Sequence, residues 1–173
     1  MDKSLVHGIT HLPHKILNHH FLSELPQLVL HELGHDNCFG LKRAVYLIDN
    51  PDFDHLLGVA GYCCDECKHH SEDMWAKPEG FGEDMGEASF HNDMKKFLRT
   101  SFKRRDVDLH KSGDIKELGS LMGIEVPKFF LWNMKHGNHG LLIFDEGKEI
   151  CPWRKQMLQN ASALLSLCGI SGT

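Results

Sequence analysis

The fold class is indicated most clearly by residues 44–63, AVYLIDNPDFDHLLGVAGYC. The first five residues are rich in β-branched and aromatic side chains, so they predict a strand. Residues 49–52 predict a turn, because Pro fixes φ and the Asn and Asp side chains hydrogen-bond to nearby backbone. A second strand is predicted from His55 to Cys63, which makes an antiparallel hairpin. Within it, Gly58 and Gly61 indicate a bulge or a close approach of another backbone segment.

Helices are predicted in the second half of the chain. Residues 65–87 are acidic and interrupted by Pro and Gly, so we expect a loop there. Apolar residues then recur at helical spacing over residues 90–98 and 115–122. The last helix is predicted to begin at Pro152, a favoured first helical residue, with Trp153 on its buried face.

A second hairpin is predicted between these helices, from strands at Phe129–Asn133 and Leu141–Phe144. The first twenty residues are expected to be irregular, with a short helix around residues 15–22. Hairpins with segregated helices indicate an α+β fold rather than alternating α/β. We therefore expect one globular domain, residues 1–173, in which antiparallel hairpins form one sheet and three or four helices pack against it.

Composition narrows the class of protein. The net charge of −5 disfavours nucleic acid and anionic membranes as partners. No apolar run approaches the ~18–20 residues that span a bilayer. The N-terminus lacks the pattern of a secretory signal, so we expect a cytoplasmic protein whose six cysteines are thiols or metal ligands rather than disulfides. Fourteen histidines are the compositional outlier, and imidazole is a common metal ligand.

The sharpest motif is an H-E-x-x-H sequence at residues 31–35. On a helix, His31 and His35 would lie one above the other and could hold one Zn²⁺. Over about eight residues, 28–35, the segment resembles the active-site helix of zincin metallopeptidases. The resemblance implies zinc ligation by His31 and His35 and a general-base role for Glu32. The same residues can also be read as a strand followed by a turn, and in a strand the two histidines would be too far apart to chelate one ion closely.

A second candidate metal site combines cysteines and histidines. Cys64 and Cys67 have the spacing of half a zinc knuckle, in which a tight turn points two thiolates at one ion. His136 and His139 have matching spacing on the turn of the second hairpin. A Cys₂His₂ site built from these four residues would tie the two hairpins together, with zinc as the expected metal and iron as the alternative.

The metal-free alternative is an interaction module. Six cations lie on and just after one predicted helix, Lys95, Lys96, Arg99, Lys103, Arg104 and Arg105. Such a surface could bind phosphate groups or an acidic partner, although a solvated helix face is the commoner explanation. The sequence thus predicts a metal-binding protein, with a metal-dependent hydrolase as its most specific form and a non-catalytic binding module as the alternative.

Overall fold

The computed structural model describes residues 3–50, 55–66, 73–101 and 111–168. These residues form a four-stranded antiparallel sheet and six α-helices, which confirms the α+β class and exceeds the expected helix count. The helices are α1 (Lys3–Asn18), α2 (Leu25–Gly34), α3 (Pro78–Glu87), α4 (Ser89–Ser101), α5 (Ser112–Leu121) and α6 (Pro152–Ser162). The strands are β1 (Leu41–Asn50), β2 (His55–Cys63), β3 (Lys128–Asn133) and β4 (His139–Glu146).

The sheet joins the two predicted hairpins side by side. Its strand order is β2-β1-β4-β3, so β1 and β4 form the centre and every neighbouring pair is antiparallel. At one end of the sheet Arg43 pairs with Cys63 and with Asp145; at the other end Asp49 pairs with His139. This register decides which of the predicted site residues can meet.

Helices cover both faces of the sheet, because the central strands are apolar on both sides. In β1, Val45 and Leu47 pack into a core with residues of α4 and α5. Tyr46 and Ile48 point to the opposite face and pack with residues of α1, α2 and α6. The protein is therefore layered as helices, sheet and helices.

Strand β2 contains a bulge at Val59. Leu47 pairs with Gly58 and Tyr46 pairs with Ala60, so Val59 is an extra residue in the ladder. Two residues further on, a Cβ atom at Gly61 would lie 3.1 Å from the backbone of α4. The prediction that glycines in this strand indicate a bulge or a close backbone approach is confirmed.

The N-terminal segment corrects one prediction. Residues expected to be irregular form α1, a helix of 16 residues with Pro13 in its interior. Leu5, Leu12 and Ile16 lie on one face of it and are at most 1% exposed. Burying three large aliphatic side chains contributes about 1.5–3 kcal/mol each, which outweighs the ~3 kcal/mol cost of an internal proline.

Two further expectations were wrong. Residues 78–87 form α3 rather than a loop, with Pro78 in its first turn, where proline costs no hydrogen bond. In α6, Trp153 is 42% exposed rather than buried, whereas Ala161 is buried as expected, together with Leu158.

Candidate metal centres

The H-E-x-x-H motif lies on α2, so the helical interpretation is confirmed and the strand interpretation is wrong. The helix ends at Gly34, and the backbone N–H of His35 still donates to the carbonyl of His31 at 3.0 Å. A Cβ atom at position 34 would lie 2.6 Å from the ring of Tyr62, so glycine lets α2 approach β2. The backbone therefore places His31 and His35 one helical turn apart, on one side of α2.

His31 is buried among aromatic rings. It is 6% exposed, and its ring lies edge-on to the rings of Tyr62 and Phe81, with both centroid distances at 5.0 Å. Edge-to-face contacts of this kind stabilise a packed aromatic cluster. The surroundings of the imidazole in this structure are thus largely apolar.

Glu32 is held by two donors. Its Oε1 accepts a hydrogen bond from Lys15 Nζ at 3.1 Å, and its Oε2 accepts one from Trp75 Nε1 at 2.9 Å. Lys15 Nζ also lies 5.4 Å from the centre of the Trp75 ring. The carboxylate thereby connects α2 to α1 and to the segment before α3. Each carboxylate oxygen keeps a second lone-pair site, so the two hydrogen bonds orient the Glu32 carboxylate without blocking it.

His35 is half-buried at the C-terminus of α2. Its Nδ1 accepts a hydrogen bond from the backbone N–H of Asn37 at 3.2 Å. A neutral imidazole that accepts at Nδ1 carries its proton on Nε2. Metal ligation through Nε2 would therefore require the other tautomer and the loss of this hydrogen bond.

Cys64 lies in a single turn of 3₁₀ helix that follows β2, whereas Cys67 lies outside the described residues. The Cys64 thiol donates to the carboxylate of Asp65 at 3.7 Å. Burial raises the pKa of the Cys64 thiol, and the neighbouring Asp65 raises it further. Both effects favour the protonated thiol over the thiolate that a metal ion needs.

His136 and His139 lie on the β3–β4 connection. His136 is exposed and has a positive φ of 60°, followed by Gly137 with a φ of 71°. His139 lies deeper, with its Nδ1 3.3 Å from Oδ2 of the fully buried Asp49. The turn predicted between the two strands is present, and its second histidine pairs with a carboxylate of β1.

The structure does not bring the Cys64 thiol and His139 together. Cys63, next to Cys64, pairs with Arg43, whereas His139 pairs with Asp49, six residues further along β1. At about 3.3 Å per residue, these positions are roughly 20 Å apart. Among the described residues, no group of three or more His, Cys, Asp and Glu side chains could hold a metal ion.

The basic segment predicted to bind an acidic partner is described only in part. Lys95 and Lys96 lie on α4, near its middle, with Lys95 half-buried and Lys96 exposed. Lys103, Arg104 and Arg105 lie outside the described residues.

A histidine pair that the sequence predictions missed lies on α1. His7 and His11 are both exposed, and their ring centroids are 4.2 Å apart. His14 is exposed one turn further on, where its Nε2 lies 3.0 Å from the amide nitrogen of Asn18. We call His7, His11 and His14 the histidine ridge. Their spacing of i, i+4 and i+7 was visible in the sequence, but it carries meaning only once the segment is known to be a helix.

A second buried histidine, His91 on α4, links three elements and is 3% exposed. Its Nδ1 accepts the backbone N–H of Gly61 in β2 at 3.1 Å. The neutral ring then carries its proton on Nε2, which donates to the side-chain amide of Gln27 in α2; the nearest amide atom lies 2.5 Å away. Burial, together with the charge of Lys95, lowers the pKa of His91 to about 4.

No protein-family model matches the chain, and no curated protein is significantly similar to it in sequence. Within the described part of the chain, none of the helices combines the length and apolarity needed to cross a membrane. The case for a function therefore rests on the geometry of these sites.

Proposed function

We propose that this protein binds a divalent transition-metal ion, with Zn²⁺ as the expected ion, through the histidine ridge of α1. The observation that carries the proposal is the 4.2 Å contact between the rings of His7 and His11 on an exposed helix face. Residues at i and i+4 of a helix can offer two imidazole nitrogens to one ion, each at ~2.0–2.1 Å.

Three properties favour the ridge over the motif on α2. The imidazoles of His7 and His11 are exposed, so ligation costs no burial of a charged ion. His14 stands one turn away from His11 and bonds to Asn18, so it would join the two-imidazole site only after a change of rotamer. By contrast, His31 is packed between two aromatic rings and His35 already uses its Nδ1.

The proposal is a binding function without catalysis at Glu32. Both oxygens of that carboxylate accept hydrogen bonds in the present arrangement, one of them from a lysine. An ion on the ridge keeps water at its open coordination positions, and it would clamp two successive turns of α1. Since the metal binds the folded helix, zinc at about 100 times its Kd should stabilise the fold by about 2.7 kcal/mol.

Isothermal titration with ZnCl₂ tests the proposal on the full chain after treatment with a chelator. The double variant His7→Asn, His11→Asn should bind zinc at least about tenfold more weakly than the natural sequence. The matched control is His20→Asn, which removes another exposed histidine just beyond α1. Its zinc affinity should not change.

Two rival sites are tested in the same titration. His35→Asn removes a ligand of the motif on α2, and the double variant Cys64→Ser, Cys67→Ser removes the proposed half-knuckle. Undiminished affinity in the ridge double variant would overturn the proposal. Loss of zinc in one of the rival variants would then assign the metal to that rival site.

A further inference from the structure

A cleft lined by both polar and apolar residues opens at the end of the sheet that carries Cys64. Its walls are the connection between α2 and β1, the connection between β4 and α6, and the 3₁₀ turn after β2. The cleft has a volume of about 530 Å³, within the range of sites that bind small molecules. It is separate from the histidine ridge, and none of His7, His11 and His14 lines it.

Arg154 of α6 supplies the main recognition group of this cleft. Its Nη2 donates to the backbone carbonyl of Cys38, which fixes the guanidinium at the wall. Its Nε is buried and has no hydrogen-bond partner among the described residues. A guanidinium has five N–H donors in a planar fork that matches a carboxylate or a phosphate group. Because Nε is shielded from solvent, an oxyanion in the cleft would be bound through the Nη groups of the half-buried guanidinium.

The other charges limit what the ligand can be. Lys148 lines the cleft from an exposed position, whereas the ammonium of Lys42 is 3.0 Å from Glu125 in an exposed ion pair. Asp36 and Glu149 are also part of the lining. Two carboxylates would repel a polyanion, but they can accept hydrogen bonds from hydroxyl or ammonium groups.

We propose that this cleft binds a small metabolite that carries one oxyanion group, a carboxylate or a phosphate, held by Arg154 and Lys148. Hydroxyl or ammonium groups of the same molecule would face Asp36 and Glu149. The carboxylate and the phosphate share the chemistry that the guanidinium recognises, and the experiment below separates them.

The alkylation rate of the Cys64 thiol can report whether a ligand occupies the cleft. Its thiol lines the cleft and is half-buried, whereas Cys151 is exposed and lies outside the lining. Because the Cys64 thiol is held protonated by burial and by Asp65, it is expected to be a slow alkylation target and not a nucleophile of the site. A ligand bound at Arg154 should protect Cys64 and leave Cys151 unaffected.

Alkylation by iodoacetamide, read at each cysteine by mass spectrometry, provides the test. The full chain is labelled at constant ionic strength with increasing inorganic phosphate in one series and acetate in another. We expect one of the two anions to slow the labelling of Cys64 at least about threefold with a saturable dependence, and the labelling of Cys151 not to change. The anion that protects at the lower concentration identifies the class of ligand.

Variants on α6 decide whether Arg154 is responsible. Arg154→Gln should raise the anion concentration needed to protect Cys64 from alkylation at least about tenfold. The matched control Lys155→Gln, which removes an exposed cation next to Arg154, should leave that concentration unchanged. If Arg154→Gln fails to fold, Lys148→Gln replaces it, because Lys148 is exposed and contributes little to packing. The proposal is overturned if neither anion protects Cys64, or if protection persists unchanged in the folded variant.

Discussion

Acidification should destabilise this fold through one buried histidine, His91. The folded state holds its imidazole neutral, because the ring is 3% exposed and its Nδ1 accepts the N–H of Gly61. Burial and the nearby charge of Lys95 lower its pKa to about 4; the hydrogen bond from Gly61 and the carboxylate of Glu66 oppose this shift only in part. In the unfolded chain the ring is expected to titrate near the ordinary value of 6.5.

The sign and size of the effect follow from proton linkage. Between pH 6.5 and pH 4 the unfolded state binds a proton that the folded state does not bind, so stability falls as the pH falls. The full difference is about 3 kcal/mol, of which about 1.4 kcal/mol is lost by pH 5.5 and about 2.5 kcal/mol by pH 4.5. Above pH 6.5 the full contribution is present, and below pH 4 no more of it is lost.

Urea denaturation at pH 7.5, 6.5, 5.5 and 4.5 measures this loss against the variant His91→Asn. Asparagine keeps an oxygen that can accept the N–H of Gly61 but does not titrate, and every other histidine is common to both proteins. The natural sequence should lose about 2.5 kcal/mol more than the variant between pH 7.5 and pH 4.5. Parallel loss of stability in the two proteins would refute the reasoning.

Three further variants test packing and the Glu32 contacts, each by urea denaturation. Gly140→Ala places a Cβ against the ring of Trp132 and should cost about 1–3 kcal/mol; an unchanged midpoint would contradict the close approach. Gly80→Ala in α3 has open space and should stabilise the fold by up to about 1 kcal/mol. Trp75→Phe removes a donor to the Glu32 carboxylate and should cost about 2 kcal/mol; no loss would show that this hydrogen bond is unimportant.

The elements that could be predicted from sequence are those whose pattern is local. Both hairpins, α4, α5 and α6 have strand alternation, helical spacing or a turn signal within a single window. In the two helices that were missed, glycine and proline obscure the pattern, although Leu5, Ile9, Leu12 and Ile16 of α1 are at helical spacing. Helix α1 contains Gly8 and Pro13, and only its packing against the rest of the core offsets their cost. Helix α3 is rich in glycine, and within it only Met85 is buried.

The candidate sites depend on long-range geometry that a single sequence does not contain. Matching spacings made Cys64 and His139 look like partners, but the order and register of the strands place them at opposite ends of the sheet. His91 contacts Gln27, 64 residues earlier in the chain, through a hydrogen bond for which no local pattern exists. The motif at His31 was visible from the start, and its helix is present. Whether it binds a metal stays a prediction.

The extra residue at Val59 has a consequence for how this chain tolerates insertions and deletions. On its N-terminal side, Leu56 packs in the core with α4 and α5; on its C-terminal side, Tyr62 packs in the opposite core. Removing Val59 would restore regular pairing and keep both side chains in their cores, because Leu56 and Tyr62 would then be five positions apart and would point to opposite faces. We therefore expect β2 to tolerate the loss of one residue at the bulge, whereas the loss of two residues there would put Leu56 and Tyr62 on the same face and remove one of them from its core.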